Sequence, residues 1–219
     1  MVRRLIILVL LAGCSTPQTV LIISKTNGYR HASIETGVIA LTEIATDLGC
    51  KVIATEDTSI LNNTNYDVLV FLNTTGNILN NEERALIRKF VEEGGGFLGI
   101  HSAADTEYQW PWFGETLLGA WFVRHPPISE ELIYVVDDAH PATKCLPAKW
   151  KCTDEWYVYD RVPKQATMLL QVNDHPIAWC SEIENGRAFY TGRGHTKESY
   201  KETLFREHLS GALLWLTNN

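Results

Sequence analysis

Apolar residues fall in two rhythms along the first hundred positions of this chain. Short unbroken runs at 19–23, 50–54, 67–72 and 97–100 alternate with longer stretches in which apolar side chains recur every three or four residues. An unbroken run of that length predicts a strand buried on both faces, and the wider spacing predicts a helix with one buried side. Ile34, Val38, Leu41, Ala45 and Leu48 make one such stripe, which Ser33 is expected to cap and Gly49 to stop. Leu86, Ile87, Phe90 and Val91 make the second, with Asn80 and Glu83 spaced as a capping box before it and Gly94 after it. Strands alternating with helices over short connections predict a doubly wound, mainly parallel α/β sheet.

The rhythm changes beyond residue 105. An aromatic cluster, Trp110, Trp112 and Phe113, leads into a short helix near 113–118, and apolar runs at 131–136, 154–159, 168–172, 176–183 and 187–191 all read as strands. Close spacing without intervening helices predicts that these extend the sheet with antiparallel members. A last helix, about 200 to 216, carries Phe205, Leu209, Leu213 and Leu216 on one face. No repeat or low-complexity linker interrupts residues 19–219, which are enough for one domain.

The first eighteen residues stand apart. Met1-Val2-Arg3-Arg4 is basic, 5–11 is an apolar run too short to span a bilayer, and Leu11-Ala12-Gly13-Cys14 places small residues before a cysteine. This resembles a bacterial lipoprotein signal, which implies removal of residues 1–13, acylation of Cys14 and a lipidated tether at 14–18. The expected location is the cell envelope, facing the periplasm or associated with the outer membrane. Removal of Arg3 and Arg4 leaves 17 basic against 26 acidic side chains, a formal −9. With no basic run to neutralise phosphates, nucleic acid is excluded as a partner. Of the remaining cysteines, Cys50 and Cys180 lie in apolar runs as buried thiols, while Cys145 and Cys152, seven apart in a loop, are left open as a pair.

Candidate chemistry centres on residues 93–105, EGGGFLGIHSAAD. A strand ends at Ile100, and His101 follows between Gly99 and the small Ala103 and Ala104, the arrangement of an elbow that presents a reactive side chain. Loops that leave parallel strand ends gather on one edge of such a sheet, and these loops carry His31, Asn73 to Asn77 and His101.

Further stretches join these in a family resemblance. They are Ser24-Lys25-Thr26-Asn27-Gly28-Tyr29-Arg30-His31, Ala54-Thr55-Glu56-Asp57, Gly94-Gly95-Gly96-Phe97-Leu98-Gly99-Ile100-His101-Ser102-Ala103-Ala104-Asp105, Asp154-Glu155-Trp156-Tyr157, Asp174-His175-Pro176-Ile177-Ala178-Trp179 and Gly192-Arg193-Gly194-His195-Thr196-Lys197-Glu198. Together they resemble the ThuA-like, or trehalose-utilisation, family of the class I glutamine amidotransferase-like superfamily. The resemblance implies a flavodoxin-like or amidotransferase-like fold and a role in disaccharide breakdown through keto-sugar intermediates, with a sugar oxidoreductase as functional partner. The superfamily's glutaminases present a cysteine where this chain has His101, so glutaminase chemistry lacks its nucleophile here.

Imidazole exchanges protons near neutral pH, so His101 and His195 are expected to act as base and acid on a keto-disaccharide, in an isomerase, lyase or hydrolase-like reaction. Asp105 or Glu198 is expected to orient a ring, and His31 to join the site. Trp110, Trp156, Glu155, Asp154, Arg193 and His125 are the expected substrate contacts, by stacking or by hydrogen bonds to hydroxyls. His175 and His208 read as structural. A divalent, zinc-like metal held by His31, His101, His125 and His195 with Asp105 or Glu155 stays open, because these are its usual donors. Two other classes also stand: a lipid-anchored carbohydrate-binding module without catalysis, and nucleophilic catalysis by Ser102, which is expected to point away from the elbow tip.

Overall fold

The structure, a computed structural model, describes residues 16–217. The basic and apolar leader at 1–13 and Cys14 lie outside the described residues. The strands are β1 (Thr19–Ile23), β2 (Lys51–Thr55), β3 (Val68–Leu72), β4 (Gly96–Ile100), β5 (Phe122–Arg124), β6 (Ser129–Val135), β7 (Lys149–Asp154), β8 (Val158–Tyr159), β9 (Thr167–Val172), β10 (His175–Ile183) and β11 (Gly186–Thr191). The helices are α1 (Ile34–Asp47), α2 (Asn81–Glu92) and α3 (Thr203–Thr217).

Nine strands form one sheet in the order β2-β1-β3-β4-β11-β10-β9-β6-β7. The first five are mutually parallel, and β10, β9, β6 and β7 continue the sheet antiparallel. The return of β11 beside β4 decides the geometry of the site. It sets the carboxyl end of a late strand against the carboxyl end of a strand about ninety residues earlier, with Thr191 in register with Ile100.

The parallel strands are buried on both faces, as their unbroken apolar runs require. Val20, Ile22, Val70, Leu72, Leu98 and Ile100 face α1 and α3, while Leu21, Ile23, Leu69, Phe71 and Phe97 face α2 and the segment after the elbow. The capping box at Asn80 and Glu83 forms with both of its hydrogen bonds. Ser33 does not cap α1; its hydroxyl instead donates to the Gly194 carbonyl oxygen at 3.0 Å. A helix-opening serine is diverted into tying the α1 start to the loop after β11.

Two sequence expectations are corrected in the second half. The run read as one strand at 154–159 is split: β7 ends at Asp154, residues 155–157 are irregular, and only Val158 and Tyr159 pair, with the short β5. β7 itself, Lys149 to Asp154, escaped detection because lysines flank its Trp150 and Cys152 as they would in a loop. The four cysteines among the described residues are unpaired, with Cys145 exposed and Cys152 buried.

His208 sits on the buried side of α3, where its Nδ1 lies 2.9 Å from the Ala142 carbonyl oxygen. Burial pushes its imidazole down to about 4. Between that value and the roughly 6.5 of an unfolded chain, the unfolded state alone holds the proton. Stability is therefore whole above that window and declines as pH falls through it. Urea unfolding at pH 7 and pH 5 should show the wild type losing about 2 kcal/mol more than His208→Gln. Equal losses in the two proteins would refute the assignment.

Candidate functional site

Four segments distant in sequence deliver their side chains to one place at the carboxyl edge of the parallel strands. His31 comes from the loop after β1, His101 from the elbow after β4, Glu155 from the irregular segment after β7, and His195 from the loop after β11. One nitrogen from each ring and one Glu155 oxygen all lie within 4.8 Å of one another. His101 Nε2 is 3.2 Å from His195 Nδ1 and 3.5 Å from Glu155 Oε2, and His195 Nδ1 is 3.2 Å from that same oxygen. The three ring centroids are 4.9 to 5.1 Å apart, each pair edge to face.

The elbow has the geometry its sequence suggests. His101 takes φ 49°, a left-handed conformation costly for a residue with a Cβ, and β4 ends immediately before it. Its Nδ1 lies 2.9 Å from the Gly192 carbonyl oxygen, which requires Nδ1 to carry the proton and leaves Nε2 as the lone pair of the neutral ring. The Tyr190 hydroxyl donates to the His101 carbonyl oxygen, and the Tyr157 ring lies 4.3 Å away, centroid to centroid.

Behind the cluster, Asp154 holds two of the four segments at once. Its fully buried carboxylate accepts hydrogen bonds from the backbone N–H groups of Glu155, Gly194 and His195 and from the Ser199 hydroxyl. Arg193, equally buried, pairs with Glu202 at 2.7 Å, approaches Asp154 at 3.6 Å and lies over the Phe205 ring. Asn73, at φ 49°, donates to the Ser33 hydroxyl and to the Gly194 carbonyl oxygen and accepts from the Tyr200 hydroxyl. Gly194 is required here, because at its φ of 117° an added Cβ would lie 2.6 Å from the Tyr200 hydroxyl oxygen.

Burial, together with the neighbouring His101 and His195 rings, lowers the His31 imidazole to about 3. Burial alone would raise the Glu155 carboxyl, but the His101 and His195 rings at its oxygens, when protonated, outweigh it and hold the group below the usual carboxylate range. The hydrogen bond to Glu155 raises His195 against burial. Asp105 moves the other way: burial lifts its carboxyl, opposed by the hydrogen bond from the Tyr108 hydroxyl.

Several expected roles change. Glu198 is exposed, with neither a hydrogen bond nor an ion pair to a ring, and the orienting contact on His101 comes from the Gly192 carbonyl oxygen instead of Asp105. Trp156 is buried in the core with its indole donating to Ser129 and offers no face to a sugar, and Trp110 is partly buried against Trp112 and Phe113. Asp154 and Arg193 stand behind the site, bonded to the protein. Glu155 belongs to the cluster itself. His125 touches it, its Nδ1 3.1 Å from Glu155 Oε1, and is 42% exposed at the rim. Ser102 points inward, its Oγ 3.3 Å from His31 Nδ1 and fully buried, which takes it out of reach of a substrate. His175 is structural as read, contacting the Tyr157 carbonyl oxygen.

Two exposed aromatic residues near the cluster were not among the expected contacts. Tyr29 is 66% exposed with its ring edge-on to His31, and Tyr108 is exposed beside Asp105 and Trp121. Tyr29 stands two residues before His31 in the first motif, a signal that was present. A surface cavity of about 830 Å³ lies elsewhere, between 160–166 and 181–184, and none of these residues lines it. That cavity's charged side chains, among them Glu115, Asp160, Arg161, Lys164 and Glu182, are exposed, whereas those of the cluster converge in a buried setting.

A family model described as trehalose utilisation, ThuA, matches residues 19–216. Among solved structures, a ThuA-like protein from Bacteroides uniformis is 27% identical over 91% of each chain, with a TM-score of 0.76. A ThuA-like protein from Parabacteroides merdae is 20% identical over 93% of this chain and 91% of that one, with a TM-score of 0.79. A GMP synthase component from Thermoplasma acidophilum shares the fold at 14% identity, covering 92% of this chain and 96% of that one, with a TM-score of 0.56. No curated protein matches the chain.

Proposed function

Since the chain belongs to the ThuA trehalose-utilisation family, we propose that it is an enzyme of carbohydrate breakdown acting on a keto-disaccharide or related carbonyl-bearing sugar. The observation that carries this reading is the convergence of His31, His101, His195 and Glu155 within 4.8 Å at the carboxyl edge of the sheet. Four unrelated segments, one of them left-handed at a non-glycine residue, are held in a costly arrangement that packing alone does not call for.

The burial pattern divides the labour. His101 is fully buried and His195 is half-buried, so a substrate carbonyl would meet the cluster on the His195 side. There the imidazoles and Glu155 would orient and polarise the carbonyl end of the sugar. The proton carriers are Asp105, whose carboxyl burial raises, and His125, which meets the cluster through Glu155. A 3-keto-glycoside suits such a site. Removal of the C2 proton beside the ketone breaks the C–H bond, its electron pair forms the C1–C2 double bond, and the glycosidic oxygen leaves from C1 and takes up a proton. The exposed Tyr29 and Tyr108 are suited to packing against sugar faces.

In this reading glutamine is not a substrate. The envelope location belongs to the same proposal, with acyl chains on Cys14 holding the protein to the membrane and an oxidoreductase supplying the keto-sugar. The test is to incubate the purified full chain with 3-keto-disaccharides and follow product. Wild type should turn over, and His195→Ala should lose roughly 10²- to 10⁴-fold in rate. Asp105→Asn should lower kcat more than it raises KM, because it removes a proton carrier. Sugar-induced thermal stabilisation with no product would overturn the enzyme reading in favour of an anchored binding module.

A further inference from the structure

We propose that His31, His101, His195 and Glu155 bind one divalent cation of the zinc type. The inference deepens the reading above and rests on it for placing this centre where the substrate carbonyl arrives.

Donor geometry is the first argument. Ligand atoms about 2.0–2.1 Å from a tetrahedral zinc lie roughly 3.3–3.4 Å from one another. Three of the cluster's donors, His101 Nε2, His195 Nδ1 and Glu155 Oε2, are mutually separated by 3.2, 3.5 and 3.2 Å. They form one face of such a tetrahedron, and the His31 nitrogen completes the set within 4.8 Å. His195 is the most exposed of the four donors, and a water or a substrate oxygen would enter on that side as a fifth ligand.

Proton bookkeeping is the second. His101 gives its Nδ1 proton to the Gly192 carbonyl oxygen, so the Nε2 facing Glu155 and His195 is a lone pair unless the ring takes a second proton. His195 Nδ1 has one proton to offer, and both His101 Nε2 and Glu155 Oε2 face it as acceptors. A cation satisfies all of these lone pairs together, which one proton does not.

The other buried carboxylates supply the third. Glu107 is fully buried and meets Arg84 at 2.7 Å, Asp154 is fully buried and faces Arg193, and buried Glu83 accepts the Asn80 backbone N–H at the N-terminus of α2, where the helix dipole favours a negative charge. Glu155, also buried, has among the described residues only imidazoles as ion-pair partners, His101, His125 and His195. A buried carboxylate without a permanent cation is costly, and a bound divalent ion supplies the missing charge. The surrounding contacts are those that aim ligands: the Gly192 carbonyl oxygen on His101, the Ser102 hydroxyl on His31, and Asp154 on the backbones of Glu155 and His195.

The experiment is zinc and cobalt(II) titration of the tag-free full chain after chelator treatment, with metal content measured in parallel. One equivalent should bind with a dissociation constant below roughly 1 µM, and cobalt should give the intense visible bands of a four- or five-coordinate site. Glu155→Gln and His195→Ala should each weaken binding at least about 100-fold, with circular dichroism confirming the fold. Absence of saturable binding by the wild type, or equal binding by the His101→Ala/His195→Ala double variant, would overturn the proposal. Metal binding without sugar turnover would refute the enzymatic reading while leaving the metal centre standing. Turnover by protein that shows no saturable metal binding would do the reverse.

Discussion

Asp154→Ala is expected to lower the melting temperature by roughly 10 °C and to disable the site at the same time. The carboxylate is fully buried and receives four hydrogen bonds, three from backbone N–H groups and one from Ser199. Alanine strands those donors and leaves the buried guanidinium of Arg193 with Glu202 as its remaining charge partner. Breaking a buried ionic network by removing one member costs about 3–5 kcal/mol, and in a domain of this size each kcal/mol moves the melting temperature by roughly 2–4 °C. The functional loss follows from the same bonds: Asp154 holds the backbone of Glu155 directly and the Gly194–His195 turn directly, so two of the four cluster side chains lose their anchor together. Differential scanning calorimetry checks the first effect. A shift under about 3 °C would show that Asp154 is not the structural centre of these loops.

At His101 the expected result separates function from stability. His101→Ala and His101→Gly should lose turnover equally, roughly 10²- to 10⁴-fold, because both remove the ring that joins His31 to Glu155 and His195. Their stabilities should differ. Both leave the same gap beside Tyr157, but alanine must still hold φ 49°, and glycine adopts it without strain. Glycine should therefore be the more stable variant by about 1 kcal/mol, offset in part by its looser unfolded chain. Urea unfolding of the pair decides it. A glycine variant less stable than the alanine variant would mean the elbow stores no strain.

The contrast between these two positions tracks what could be read along the chain. His101 announced itself: an apolar strand, a glycine before, small residues after, and a polar side chain at the tip, all within nine residues. Asp154 gave no comparable sign. It lies at the end of a strand whose lysines mask it, and its partners at 155, 194, 195 and 199 are mostly some forty residues away. Asp105 or Glu198 was the expected orienting carboxylate, yet Glu198 is exposed, while Glu155, expected to contact substrate, lies 3.2 Å from His195 Nδ1. Trp110 and Trp156 looked like sugar platforms because polar residues flank them, but flanking residues do not report which way a ring faces. The Trp156 ring is buried in the core, and the Trp110 ring is partly buried against Trp112 and Phe113.

Local rhythm in the sequence determined the parallel core, both helical stripes, the Asn80–Glu83 capping box, the antiparallel extension and the elbow, because each rests on contacts between residues close in sequence or on the side-chain period of one element. Which of seven histidines meet, which carboxylate joins them, and which aromatics stay at the surface were decided only by the tertiary structure. Those facts depend on β11 returning beside β4 and on the segment after β7 reaching back over the sheet edge. Strand order of that kind is set by the free energy of the whole packed sheet, and no window along the chain contains it.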